Sequence, residues 1–186
     1  MRVIAGSLKG RRLKAPTWDG LRPTSDKLRE TLFNILAPRI ARARMLDACA
    51  GTGAVGIEAL SRGAQQVVFV EQDPRAQALI AENLAACGIS NGYTILGMDV
   101  RRISEGQRRT DLGVFDVVFL DPPYALAFEE ALASAGETAI PGGVVVLEHA
   151  RRQVPADRVG WLVRTRTVRS GDSELSFYER QAASIV

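Results

Sequence analysis

Phe115-Asp116-Val117-Val118-Phe119-Leu120-Asp121-Pro122-Pro123-Tyr124 is the stretch that decides how the chain folds. The apolar later part of its first six residues suits a parallel strand covered on both faces. Neither proline can continue a central strand, because each lacks the N–H that a ladder needs. The chain must leave the sheet at Asp121, on the carboxyl edge where open α/β sheets bind ligands. Successive prolines stiffen that exit and hold the Asp121 carboxylate, the Pro122 carbonyl and the Tyr124 ring in fixed relation. Two acceptors beside an aromatic face suit a planar base with an exocyclic NH2. A proline-terminated strand with a buried tyrosine would read the same way, so other stretches must decide.

Upstream, Met45-Leu46-Asp47-Ala48-Cys49-Ala50 runs into Gly51-Thr52-Gly53-Ala54-Val55-Gly56, a G-x-G-x-x-G between a strand and a helix. Such glycines make a tight turn and bring backbone N–H groups close to a ligand. The helix passes through Ile57 and Leu60 and stops at Gly63. Val67 to Val70 is a buried strand ending on Glu71-Gln72-Asp73, with Glu71 placed 18 residues beyond Gly53. That is close to the spacing at which an acid takes ribose hydroxyls. Asp73-Pro74 suits an N-cap and first helical residue, which accounts for Asp73 and leaves Glu71 for the ribose. Tyr93 to Leu96 is a third strand, followed by Gly97-Met98-Asp99. Asp99 fits either an adenine amino group, with Met98 against the ring, or an N-cap before Arg101.

A helix from about Phe128 to Thr138, a fifth strand from Gly142 to Glu148 and a hairpin of 161–168 with 174–179 complete the pattern. The fold class expected is α/β, a mostly parallel, doubly wound Rossmann-like sheet with an antiparallel C-terminal edge strand. At the front, Arg2 to Gly6 and Gly10 to Ala15 form a small β-hairpin extension, so the division expected is 1–20 and 21–186. A helix follows, capped by Thr24 or Ser25, with Leu28, Leu32, Ile35 and Leu36 on one face and Pro38 at its end. Arg22, Arg29 and Asn34 fall off that stripe.

With 186 residues, 46% hydrophobic and 24% charged, the chain suits one soluble globular domain and little more. No apolar run reaches the roughly 18 residues of a membrane span, and no signal-type core follows the amino terminus, so the cytoplasm is expected. Cys49 and Cys87 have no metal-like spacing and read as reduced thiols; no metal site is expected. His149, the only histidine, has no nucleophile elbow near it and reads as structural. Net charge is +3, yet residues 1–44 carry 11 basic against 3 acidic residues, and the remainder 13 against 18. A basic front on an acidic body points to nucleic acid, with Lys9, Arg11, Arg12 and Lys14 along a phosphate backbone.

The set Asp47…Gly51-Thr52-Gly53, Glu71, Asp99 and Asp121-Pro122-Pro123-Tyr124 resembles class I methyltransferases that act on exocyclic amines of nucleic-acid bases. More narrowly, Arg2-Val3-Ile4-Ala5-Gly6, Gly10-Arg11-Arg12-Leu13, Arg22-Pro23-Thr24 and Arg29 to Leu36 resemble bacterial 16S rRNA guanine-N2 methyltransferases of the RsmD type. The likeness covers residues 1 to about 180 and departs at Cys49 and Thr52, where that family tends to an aromatic residue and serine. The resemblance implies methyl transfer from S-adenosyl-L-methionine to one guanine N2 of 16S rRNA, leaving S-adenosyl-L-homocysteine. It implies a cofactor site of Asp47, Ala50, Gly51, Thr52, Gly53, Glu71, Gln72, Met98, Asp99 and Asn34. It implies catalysis at Asp121, Pro122, Pro123 and Tyr124, and RNA contacts from Lys9, Arg11, Arg12, Lys14, Arg22 and Arg29. The partner implied is 16S rRNA, the 30S subunit or an assembly intermediate, with the enzyme a monomer. An adenine-N6 methyltransferase shares the D-P-P-Y, and a non-catalytic RNA-binding assembly factor shares the basic front. A dehydrogenase would use the glycine loop and Glu71 but has no call for D-P-P-Y.

Overall fold

The computed structural model describes residues 1–19, 24–106, 111–122 and 128–182. Pro123 and Tyr124 of the catalytic set, and Arg22 of the RNA set, lie outside them. The strands are β1 (Arg44–Asp47), β2 (Gln66–Glu71), β3 (Tyr93–Gly97), β4 (Phe115–Leu120), β5 (Ala139–Ala150), β6 (Arg158–Val159), β7 (Leu162–Ser170) and β8 (Ser173–Arg180). They form one sheet in the order β3-β2-β1-β4-β5-β8-β7-β6. Strands β1 to β5 are mutually parallel, and β8 runs antiparallel between β5 and β7. The C-terminal hairpin therefore adds its second strand to β5 and carries β7, then the two-residue β6, outward to the rim. No hydrophobic period marks a strand as short as β6, and the sequence reading passes over it.

Four α-helices are described: α1 (Asp26–Ile40), α2 (Ala54–Ser61), α3 (Pro74–Ala86) and α4 (Phe128–Gly136). Alternation along each strand sends its residues to two cores. Met45, Phe69, Val117 and Phe119 pack under α1, α2 and α3 with Val3 and Leu13 of the front segment. Leu46, Val68, Leu120 and Leu147 pack under α4 and a 3-10 turn at Val100–Arg102. From β1 the chain winds out to β3 and then returns to lay β4 on the other side of β1. Between β1 and β4 the winding reverses, which opens a crevice at their carboxyl ends.

Helix α1 departs from expectation in two ways. Pro38 does not end it; the helix continues to Ile40, which is buried, and Arg39 Nη1 donates to the Gly142 carbonyl at 2.8 Å. A proline removes one hydrogen bond, and here the anchored last turn outweighs that loss. Arg29 lies on the buried face, fully covered beside Phe33 one turn later. Its guanidinium donates to the Asp26 carboxylate, to the Arg2 carbonyl at 2.9 Å and to the Ala54 carbonyl at 3.4 Å. Arg29 therefore joins three segments inside the protein, and its expected place on an RNA surface is corrected.

The front segment docks rather than standing free. Only one bridge, Arg2 with Arg12, pairs its two arms. Backbone bonds such as Val3 N–H to the Arg11 carbonyl at 2.9 Å and Leu13 N–H to the Met1 carbonyl at 3.1 Å also join the arms. The domain ties down further backbone groups: fully buried Glu58 accepts from Ile4 N–H at 2.7 Å and Ala5 N–H at 3.0 Å, and also pairs with Arg62. Glu58→Ala should strand these donors and cost about 2–4 kcal/mol in denaturant unfolding. Limited proteolysis should then cut within residues 1–14 well before the rest of the chain. An unchanged cleavage pattern would show that Glu58 does not hold the segment.

Candidate functional site

The crevice is a cleft of about 660 Å³, built from the loops that follow β1 to β4, with Glu148 of β5, and closed by the β7–β8 turn. That volume is in the range of small-molecule sites. Its floor is the loop after β1. Ala48 N–H donates to the Phe119 carbonyl at 2.8 Å and Ala50 N–H to the Val70 carbonyl at 3.0 Å, so the loop is pinned to both neighbouring strands. Gly53 starts α2 at φ +74°, and a Cβ there would press on Ile80 at 3.1 Å. A Cβ on Gly56 would stand 2.2 Å from the Phe69 ring, so α2 lies close on the sheet only because that position is bare.

Glu71 has more structural work than the sequence indicates. Its Oε2 accepts the Gly51 N–H and its Oε1 the Asp73 N–H, both at 2.9 Å. A carboxylate offers about four lone-pair positions, so two remain for a ligand's hydroxyls. Asp73 caps α3 by accepting from Arg75 N–H at 2.9 Å, as its spacing predicts. Asp99 does the same for the 3-10 turn, accepting from Arg101 N–H, and its pairing with the Arg101 side chain holds it below the usual carboxylate range. Asp99 lines the cleft as well, so the cap and the ligand-facing position belong to one side chain.

The cleft is acidic. Asp47 is 1% exposed, and burial pushes its carboxyl up to about 7, with Glu71 adding to the rise and the Gly56 N–H, at 2.9 Å, opposing it. Burial also raises the Cys49 thiol well above its ordinary value, followed by the charges of Asp121, Glu71, Asp47 and Asp99. Four carboxylates converging on one thiol make a site that favours a cation.

Asp47, Ala50, Gly51, Thr52, Glu71, Gln72, Met98 and Asp99 share the cleft wall with Asp121 and Pro122. Gly53 does not line it; it sets the start of α2 behind the loop. Asn34 is exposed on α1 and stands apart from the cleft wall, which corrects its place in the cofactor set. Its position two residues before buried Leu36 turns it to solvent. Lys9, Arg11 and Arg12 are exposed and, among the described residues, have no carboxylate partner, whereas Lys14 pairs with Glu82 at 2.8 Å. His149 is buried, with Nε2 2.9 Å from the Ser176 hydroxyl, as a structural histidine would be.

The sequence reading missed Trp18, Cys49, Glu148 and the turn Ser170–Ser173 as parts of the wall. Glu148 carried the signal already used for Glu71 and Asp121, an acid at the carboxyl end of a parallel strand. Trp18 sits in a loop, with the Arg75 guanidinium 5.1 Å from its ring centre, and nothing local in the sequence foretells that contact.

A family described as "Conserved hypothetical protein 95" matches residues 1–179. Ribosomal RNA small subunit methyltransferase D of Escherichia coli K12 is 33% identical over 186 residues, 98% of this chain and 91% of that protein. YlbH of Bacillus subtilis 168 is 36% identical over 184 residues, covering 97% of this chain and 100% of its own. The solved Escherichia coli protein yhhF superposes with a TM-score of 0.83 at 31% identity, over 98% of this chain and 99% of that one.

The buried Asp47 gives the protein a pH dependence of known sign. With a folded value of about 7 against about 3.9 in an unfolded chain, the native state holds this proton more tightly. The resulting stability is fully present below pH ~4 and is lost as pH rises through ~7. Between pH 5 and 7.5 the wild type should lose on the order of 2 kcal/mol relative to Asp47→Asn in urea unfolding. Parallel pH profiles for the two proteins would refute the burial of an ionisable Asp47.

Proposed function

The chain belongs to the family described as conserved hypothetical protein 95, and from that membership we propose that it methylates the exocyclic N2 amine of one guanine in 16S rRNA, with S-adenosyl-L-methionine as donor. The carrying observation is that Asp121 and Pro122, at the end of β4, line the same cleft as the glycine loop and Glu71. A donor site and an amine-holding site then face each other across the switch point of the sheet.

The residues present fit the donor. Its sulfonium and ammonium charges match an acidic wall, its ribose hydroxyls match the remaining acceptor positions of Glu71, and its adenine fits between Met98 and Asp99. When bound, it supplies a methyl group on positively charged sulfur, open to in-line attack. The chain's own part is orientation. An aryl amine is a poor nucleophile because its lone pair is conjugated into the ring. The Asp121 carboxylate and the Pro122 carbonyl accept its N–H bonds, draw it toward a tetrahedral shape and aim the lone pair. The base must be splayed out of any stack to arrive there, and Tyr124 is assigned the stacking face that holds it. Asp121 or solvent takes the proton released.

RNA affinity is assigned to Lys9, Arg11 and Arg12. The segment that bears them is tied to the glycine loop through Asn83, whose Oδ1 accepts from Lys14 N–H at 2.7 Å and whose Nδ2 donates to the Thr52 carbonyl at 3.0 Å. The reading names the 16S rRNA or a 30S particle as partner, a cytoplasmic location and a monomer as the working form. Among the described residues no helix is long and apolar enough to cross a membrane.

Asp121→Ala should abolish methyl transfer to rRNA from a labelled donor while donor binding, read by calorimetry, persists. Mass spectrometry of the wild-type product should map N2-methylguanine to one 16S position; N6-methyladenine, or transfer to DNA instead, would refute the reading. Deleting the front segment is a poor test, since Val3 and Leu13 belong to the core. Replacing Lys9, Arg11 and Arg12 by alanine should instead weaken RNA binding and flatten its log-log salt slope by about 2, at ~0.7 per phosphate lost. Donor affinity should stay the same. An unaltered slope would move the RNA surface elsewhere.

A further inference from the structure

A second carboxylate stands beside Asp121. In the parallel pair β4–β5, Leu120 lies opposite Leu147, so the next residues, Asp121 just past the end of β4 and Glu148 still within β5, stand at one level. Neighbouring strands are about 4.8 Å apart. Leu120 and Leu147 both pack under α4, so alternation turns Asp121 and Glu148 together to the α1 face. Glu148 is held there: the Thr24 hydroxyl, just before α1, donates to its Oε2 at 3.4 Å. Both acids are half-buried, and both line the cleft.

Two acceptors side by side match a base edge that carries two adjacent donors. Guanine presents N1–H next to its N2 amine. Adenine presents its N6 amine next to a bare N1, and cytosine its N4 amine next to a bare N3, so either would set a lone pair against the second carboxylate. The D-P-P-Y motif is blind to this difference, because it takes only the amine. A neighbour on the next strand has to make the choice.

We infer that Glu148 selects the base, accepting N1–H of guanine while Asp121 and Pro122 hold the N2 amine. The inference rests on the guanine-N2 reading above. A carboxylate offers about four acceptor positions, and the Thr24 bond takes one of them. The proton stays on N1 throughout, so Glu148 serves recognition and orientation and takes no proton. A charge-assisted bond to a required donor discriminates strongly, because the analogue without it sets a lone pair against the carboxylate oxygen that faces it.

2-Aminopurine separates the alternatives, since it keeps the N2 amine and lacks N1–H. Full 16S rRNA is rebuilt by splinted ligation with guanine or 2-aminopurine at the mapped position, and offered naked and as reconstituted 30S particles. The wild type should favour guanine by about 100-fold or more in kcat/KM. Glu148→Gln can turn an amide N–H toward the bare N1, so the ratio should fall to about 10-fold or less, with the 2-aminopurine rate rising outright. The missing O6 affects both proteins alike. A wild type indifferent to the two bases, or a Gln variant slowed equally on both, would overturn the assignment. Failure of the wild type to methylate the guanine RNA in either form, or a methyl group on adenine, would instead sink the reaction reading.

Discussion

The site depends on one carboxylate that accepts from two loops. Glu71 takes the Gly51 N–H on one oxygen and the Asp73 N–H on the other. The first belongs to the turn after β1 and the second to the turn after β2, so a single side chain sets how far apart these turns stand. Neither turn has a regular ladder at that point, and each N–H would otherwise lack a protein partner in a half-buried place. Gln77 adds a third tie, donating from Nε2 to the Glu71 carbonyl at 2.9 Å. The cleft wall is thereby preorganised before any ligand arrives.

Clamping with an acid has an electrostatic consequence. The Glu71 charge is among the causes that lift Asp47 to about 7 and keep the Cys49 thiol protonated. Asp121 and Asp99 add to the field at Cys49. A fold selected for stability alone would not gather these acids where strands end and water is scarce. A ligand with positive charge relieves the repulsion, and a neutral one does not. The cost in the ligand-free protein is therefore also the source of its selectivity for a cationic donor.

Much of this was legible because sheets impose a period of two and wound sheets share one edge. Glycines at 51, 53 and 56, the Asp73-Pro74 cap and the exit at Asp121 are all local signals, and each lies where its spacing places it. Arg29 was misread because side-chain type was taken as a guide to exposure; its burial depends on carbonyls of Arg2 and Ala54, distant in sequence. The turn Ser170–Ser173 was legible as a turn, but not as a cleft wall. That role arises only because β8 inserts between β5 and β7, a non-local pairing that hydrophobic pattern cannot report. Glu71 shows a different limit: its position at a strand end was visible, whereas its service as a clamp needed the geometry of two loops.

The front segment shows how a short, basic stretch can be both docked and available. With one bridge of its own, it has too little ladder to be stable alone. Beyond the bonds between its own arms, its backbone is tied to the domain by side chains of Glu58, Ser61, Asn83 and Arg29. The apolar Val3 and Leu13 go into the core, which leaves Lys9, Arg11 and Arg12 in solvent. Docking thus uses the groups that every residue has, and the charges that distinguish this segment stay in solvent. Because Asn83 binds both Lys14 and the Thr52 carbonyl, that charged surface keeps a set offset from the glycine loop. That amide is one of several ties, with Glu58, Ser61 and Arg29, that fix the docked segment against the domain that bears the cleft.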